Sequence, residues 1–239
     1  SDTINVAEGA TAVVTLTSTD GDAADSGGPT YAIDTNDNNL FSINGAVVTL
    51  TNAADFETPG CGSSSNTCTI VVSATDLNSQ VTQQTITVTI TDVNDQTPTY
   101  TAGDTTPSVA EGTTAVDTAV AITDTDTGDA NVCTLAGSDA ALFTCTLTGQ
   151  TAYSLAFTNA PDFETDASTD GDGDYDVTVT INDGTQDGAT ITYVVTVTHT
   201  NDQAPTYTAG DTTPSVAEGS TAVDTAVAIT DSDSGDANV

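Results

Sequence analysis

The sequence predicts an all-β protein made of tandem two-sheet sandwiches, and three observations carry that prediction. Apolar residues alternate with threonine at a period of two, turn residues recur between the runs, and one long segment occurs twice. The run "TITVTITD" sets Ile86, Val88 and Ile90 on one face and Thr85, Thr87, Thr89 and Thr91 on the other, the alternation of a half-buried strand. About seven such runs, separated by Gly, Asp and Asn, fill one repeat and suffice for two packed sheets. No stretch carries a convincing helical period. Threonine this dense suits strands through its branched Cβ, and it keeps exposed sheet faces polar where lysine would otherwise serve.

Residues 100–132, "YTAGDTTPSVAEGTTAVDTAVAITDTDTGDANV", return at 207–239 with only Thr-to-Ser changes, 107 residues later. A weaker copy opens the chain, where "VAEGATAVVTL" aligns with "VAEGTTAVDTAV". Farther on, "LFSI" at Leu40–Ile43 aligns with "LFTC" at Leu142–Cys145, and "AADFETPG" at Ala53–Gly60 with "APDFETDA" at Ala160–Ala167. A period this long marks a string of whole domains, not a solenoid of small units. The expected organisation is one repeat over 1–98, a second over 99–205 and a partial third over 206–239. Two strands' worth of sequence cannot bury a core alone. Continuation of the polypeptide is the expected completion, with another chain or no ordered partner as the alternatives. The chain has neither an initiator Met nor a signal peptide, which reads as a processed chain or a piece of a longer one.

With no Lys or Arg, a single His and 35 acidic residues, the formal charge is −35. Hydrophobic residues at 36%, spread in strand-like runs, separate this chain from the apolar-poor composition of disorder. The charge excludes nucleic acid and anionic membrane surfaces as partners, because nothing here neutralises phosphate. No segment is long and apolar enough to insert into a bilayer. Lysine-dependent chemistry, including Schiff bases and isopeptide crosslinks, is also excluded. Carboxylate clusters must therefore be offset by solvent, counterions or bound metal. Four cysteines sit as Cys61 with Cys68 and Cys133 with Cys145, without CxxC spacing. Local disulfides in an oxidising compartment are the preferred reading, with free buried thiols as the alternative. Cys133 and Cys145 align with Tyr31 and Ile43, positions expected to face the core.

Each repeat carries the same acidic marks in the same order. They are "AEG" near the start (Glu8, Glu111, Glu218) and a DxD after the second strand (Asp20 and Asp22, Asp124 and Asp126, Asp231 and Asp233). Then come "DFE" in mid-repeat (Asp55 and Glu57, Asp162 and Glu164), one Asp after a strand in "SATD" and "TIND" (Asp76, Asp183), and a closing "NDQxP" (Asn94 and Asp95, Asn201 and Asp202). A single Asp or Asn is readily explained as a turn former. Turn chemistry does not explain an ordered set recurring at the same strand ends.

This ordered set resembles the cadherin family over essentially the whole chain. The family repeat has an early XEX, a DxD, a DxE, an AxD and a closing DxNDxxP, which here is "DVNDQTP", Asp92 to Pro98. The resemblance implies seven-stranded Greek-key sandwiches joined end to end by short linkers, with up to three Ca2+ at each junction. Carried over by residue, the first junction takes Glu8, Asp55, Glu57, Asp92, Asn94 and Asp95 from repeat one and Asp124, Asp126 and Asp183 from repeat two. Calcium's demand for six to eight hard oxygens suits such a set. At the second junction Glu111, Asp162, Glu164, Asn201 and Asp202 remain, with Asp231 and Asp233 beyond, but "HTNDQAP" puts His199 where Asp92 stands. Imidazole is a poor calcium ligand, so weaker calcium binding is expected there and a structural role is expected for His199.

The tract "DASTDGDGDYD", Asp166 to Asp176, half-matches an EF-hand loop through Asp166, Ser168, Asp170 and Gly171, but Val177 stands where a bidentate Glu is needed. It reads either as an extra ion site or as an acidic loop.

The expected function is a calcium-rigidified extracellular fibre, surface appendage or adhesin stalk, whose partners are identical or similar repeats end to end. The alternative is a calcium-dependent recognition module binding a cell-surface protein or a glycan. The family's Trp-based strand exchange is not open to a chain without Trp, and aromatics at 5% leave few anchors for a hot spot. Catalysis is not expected: paired carboxylates of a glycosidase kind abound, but they fall at domain junctions without a pocket-forming aromatic cluster.

Overall fold

In a computed structural model, the described residues are all but 1, 20, 22–27, 129, 209–212, 214, 222–227 and 234–239. The chain divides into two compact units, one formed by Ser1–Gln96 with Thr125–Gly128 and the other by Thr97–Asp124 with Asp129–Val239. The first therefore takes in four residues of the 100–132 segment that recurs at 207–239.

The first unit holds β1 (Asp2–Ala7), β2 (Ala12–Thr15), β3 (Thr30–Asn36), β4 (Phe41–Asn44), β5 (Val47–Leu50), β6 (Thr67–Thr75) and β7 (Val81–Thr91). They form a four-stranded sheet in the order β1-β7-β6-β3 and a three-stranded sheet in the order β2-β5-β4. β1 runs parallel to β7, and the other pairs are antiparallel. The core draws on both sheets, with Phe41, Val48 and Leu50 from one and Val6, Ile70, Val72, Ile86, Val88 and Ile90 from the other. This is the sandwich that the threonine alternation predicts: Ile86, Val88 and Ile90 are buried while the threonines between them are not. Removing each such side chain from water contributes about 1.5–3 kcal/mol. Cys61 and Cys68 form a disulfide, and both are buried in the core.

The second unit holds β8 (Thr99–Tyr100), β9 (Ser108–Ala110), β10 (Ala115–Thr123), β11 (Val132–Ala136), β12 (Phe143–Thr148), β13 (Ala152–Phe157), β14 (Asp174–Asn182) and β15 (Ile191–Thr198), followed by β16 (Thr206–Thr208) and β17 (Ala228–Thr230). Its sheets run β12-β13-β10-β8 and β11-β14-β15-β9. The entering strand is split between sheets, β8 pairing with β10 and β9 running parallel to β15. The break falls where Gly103, Asp104 and Pro107 favour a turn, and Asp104 Oδ1 accepts the Thr106 N–H at 2.9 Å. The core is aromatic: Phe143 stacks on Phe157 at 4.4 Å, Tyr175 meets Phe157 edge-on at 5.2 Å, and the Tyr153 and Tyr193 hydroxyls hydrogen-bond at 2.9 Å. Cys133 and Cys145 form a disulfide from β11 to β12, joining the edge strands of the two sheets. Beyond this sandwich, β16 pairs antiparallel with β17 and sets Tyr207 opposite Ile229, the pairing that Tyr100 makes with Ile122.

Gly137 is fixed by space and conformation together. Its φ is +108°, and a Cβ there would lie 2.7 Å from the Asp176 carbonyl oxygen.

Candidate metal centre

Strand ends deliver the acids in the first unit. Glu8, just past β1, is 8% exposed, and its carboxylate accepts the Phe56 N–H at 2.8 Å and the Val93 N–H at 2.7 Å. One side chain thereby ties the "DFE" loop to the segment after β7. Asp126, equally buried, accepts the N–H groups of Asp95 and Gln96 at 2.9 and 2.7 Å. Thr127 donates both its N–H and its hydroxyl to Asp92 Oδ2.

Within that frame the oxygens of Glu8, Glu57 and Asp95 lie within 4.8 Å of one another, and so do those of Glu57, Asp92 and Asp126. Glu57 is shared between the two triads. Both of its oxygens, and Asp92 Oδ1, are buried without a hydrogen-bond partner. Burial pushes the Glu57 carboxyl up to about 7, with the charges of Glu8, Asp126 and Asp92 adding to the effect. A set of carboxylates this close, in a protein with no Lys or Arg, fits a hard cation that accepts oxygen ligands.

The second unit builds the same frame. Glu111, 6% exposed, accepts the N–H groups of Phe163 at 2.8 Å and of Thr200. Asp233, 4% exposed, accepts the Gln203 N–H at 2.9 Å. The oxygens of Glu164, Asp202 and Asp233 lie within 4.8 Å of one another, and Glu111, Glu164 and His199 form the companion triad. His199 Nδ1 lies 3.4 Å from a carboxylate oxygen of each glutamate. Burial raises the Glu164 carboxyl, and Glu111 and Asp233 raise it further. The hydrogen bonds from Phe163 and Thr200 hold Glu111 below the ordinary carboxylate range, with His199 contributing.

The sequence-expected residues thus divide. Glu8, Glu57, Asp92, Asp95 and Asp126 converge in the first unit, with Asn94 half-buried between two of them; Glu111, Glu164, Asp202 and Asp233 converge in the second. Asp55 is exposed and accepts the Thr58 N–H; Asp162 is exposed and accepts the Glu164 N–H. Asp76 closes the β6–β7 turn by accepting the N–H groups of Asn78 and Gln80. Asp124 directly follows β10, and buried Asp183 at the end of β14 accepts the N–H groups of Thr185 and Gln186, each at 2.7 Å. Asp231 accepts the Asp233 N–H, and Asn201 is exposed in the linker. Asp20 and Asp22 lie outside the described residues.

Two acids that the motif reading passed over organise the loops. Asp139, 2% exposed, accepts the N–H groups of Thr169 and Asp176 and the Ser138 hydroxyl, spanning the acidic tract. Burial pushes its carboxyl up, but those hydrogen bonds outweigh it and leave it below the ordinary range. Asp37 does the corresponding work in the first unit, accepting the N–H groups of Gly62 and Thr69. The recurrence of "DNNLF" and "DAALF" was the available signal. Within the acidic tract, Asp166, Asp172 and Asp174 accept hydrogen bonds from Ser168, Asp174 and Thr196.

Residues 2–91 match the family model of the cadherin domain. No curated protein matches the chain. Among solved structures the fold is similar to the protocadherin gammaB7 EC3-6 cis-dimer structure, with a TM-score of 0.67 and 22% identity over 98% of this chain. It is also similar to the human desmocollin-1 ectodomain (TM-score 0.63, 19% identity, 84% of this chain and 41% of that one) and to mouse cadherin-23 EC22-24 (0.62, 20%, 89% and 67%). The chain spans 55% of the length of the protocadherin gammaB7 structure. The cadherin resemblance read from the sequence therefore holds over residues 2–91, and the all-β fold and the two disulfides hold as well.

Proposed function

We propose that this chain is part of a calcium-rigidified extracellular repeat protein serving as a fibre, surface appendage or adhesin stalk, with structural work in place of catalysis. The observation that carries the reading is Glu57, whose two carboxylate oxygens are buried among the acids of the first unit with no hydrogen-bond partner. Its neighbours hold it there: Glu8 and Asp126 are fixed by backbone N–H groups, and Asp92 by Thr127. Calcium supplies the positive charge that lets these oxygens approach one another.

Asp126 and Thr127 lie four residues or fewer past β10 and are held against the Asp92–Gln96 segment inside the first unit. Neutralising the acids holds Asp126 and Thr127 in place within the first unit, and leaving them charged pushes Asp126 away from Glu57 and Asp92. Within the first unit Asn94, half-buried between Asp92 and Asp95 in the chain, is a further candidate for an oxygen ligand. In the second unit Asp233 takes the part of Asp126, and Asp202 stands with it and Glu164 where Asp92 stands in the first. An ion requirement of this kind suits the calcium-rich exterior of cells, as do two disulfides and the likeness to ectodomain structures. Small-angle scattering with and without chelator tests the reading: chelation is expected to broaden the distribution of sizes, and an unchanged profile overturns it.

A second reading, recognition of a cell-surface protein or glycan, has one observation in its favour. Leu77 and Val81 are 62% and 60% exposed around the β6–β7 turn. Calcium-dependent capture of a defined ligand that is lost in the double variant Leu77→Ser, Val81→Ser favours that reading, and unchanged capture removes it.

A further inference from the structure

We propose that the Glu111–Glu164–His199 triad is a site for a borderline divalent transition ion of the zinc class, and that only the Glu164–Asp202–Asp233 side of the same cluster is a hard-ion site. The inference rests on these clusters being metal sites, and it departs from calcium at the one place where the ligand chemistry departs. Oxygen-only donors favour calcium, whereas an imidazole nitrogen beside two carboxylates favours zinc, cobalt, nickel or copper.

Geometry agrees. His199 Nδ1 stands 3.4 Å from an oxygen of each glutamate without a hydrogen bond to either. Metal–ligand bonds of about 2.0–2.1 Å at tetrahedral angles span an edge of roughly 3.4 Å. Calcium bonds of about 2.4 Å at right angles span the same edge, so donor identity and not spacing makes the selection. The Phe163 ring lies 5.6 Å from the imidazole, and the His199 side chain is 21% exposed, so the ring is backed on one side.

Buried polar atoms point to ions on both sides of the cluster, His199 Nδ1 on the zinc side, Asp233 on the hard-ion side and Glu164 shared between them. Both Glu164 oxygens are buried without hydrogen bonds. Asp233, 4% exposed, commits one oxygen to the Gln203 N–H and keeps Oδ1 buried and unpartnered beside Glu164. Nothing else in the chain competes for a nitrogen- or sulfur-seeking ion, because His199 is the one histidine and all four cysteines are in disulfides.

That single histidine makes the test direct. The chelated protein, re-equilibrated with millimolar calcium, is titrated with Zn2+ and then Co2+ while the His199 ring resonances are followed by NMR. The expected result is a stoichiometric zinc-induced change and a paramagnetic shift with cobalt, both persisting in excess calcium. In His199→Gln, zinc affinity is expected to fall by about 100-fold or more, since loss of an outer-shell partner alone costs 10–100-fold. His199→Asp is expected to gain a calcium site in exchange. Resonances that ignore both metals overturn the proposal. Calcium binding at the first unit is read separately through Glu57→Gln, so failure of one reading leaves the other standing.

Discussion

The two acid clusters are the same frame with different fillings. Glu8 and Glu111 accept the same pair of backbone N–H groups, and Asp126 and Asp233 hold the same glutamine N–H after the closing Asn-Asp. Gln96 and Gln203 each donate their side-chain amide to the preceding Asp. Against this constancy, Asp92 in one becomes His199 in the other. Backbone donors fix Glu8, Glu111, Asp126 and Asp233, but the other ligands regroup: Asp92 stands with Asp126 and Asp95 with Glu8, whereas His199 stands with Glu111 and Asp202 with Asp233.

Ion removal gives the largest expected separation between the clusters. A metal at about 1,000-fold saturation contributes roughly 4 kcal/mol to the state that binds it, which for a domain of this size is about 15–30 °C in melting temperature. With all metal removed and zinc alone restored, the first unit is expected to melt lower by that order while the His199 side of the second is spared. Equal loss in both units, read from unit-resolved methyl NMR melts, breaks the comparison.

The covalent difference comes next. The second unit ties β11 to β12 with Cys133–Cys145, where the first has Tyr31 and Ile43. The double variant Cys133→Ser, Cys145→Ser is expected to cost the second unit about 3 kcal/mol by loop closure. Calcium affinity at the first cluster stays unchanged in a calorimetric titration.

Asp92→His makes the first cluster imitate the second. Loss of one charged ligand is expected to cost roughly 1.5–3 kcal/mol, or about 10–150-fold in calcium affinity, with a new response to zinc. A variant that binds calcium as before places Asp92 outside the ligand set.

The smallest effect is on pH, in the metal-free protein. Glu57 titrates near 7 in the fold against an ordinary 4.5, so its stabilising contribution is complete below about 4.5 and is lost as pH rises through 7. The metal-free first unit is expected to melt lower at pH 8 than at pH 5.5. Glu164, also raised, acts in the same sense, whereas Glu111, held low, contributes stability that acidification removes. The second unit should therefore show the flatter profile in the same melts.

The threonine alternation was enough to read β7 and its buried face, because a period of two is local information. The ordered acids were legible for the same reason: each sits at a strand end that its neighbours announce. What the sequence hid is mostly long-range. The split between β8 and β9 needs β10 and β15 to pair with, and the bond from Asp139 to Asp176 joins residues far apart in the chain. His199 was read for what it would do to calcium. That its nitrogen stands between Glu111 and Glu164 follows from folding, not from its place in "HTNDQAP".

Calcium binding by the acids of the first unit is the premise of the function proposed for this chain. An isothermal calorimetric titration of the chelated protein with calcium, run beside Glu57→Gln, tests this directly. Saturable binding is predicted, with both stoichiometry and affinity reduced when the shared carboxylate becomes an amide. No saturable heat up to millimolar calcium, or identical curves for the two proteins, contradicts it.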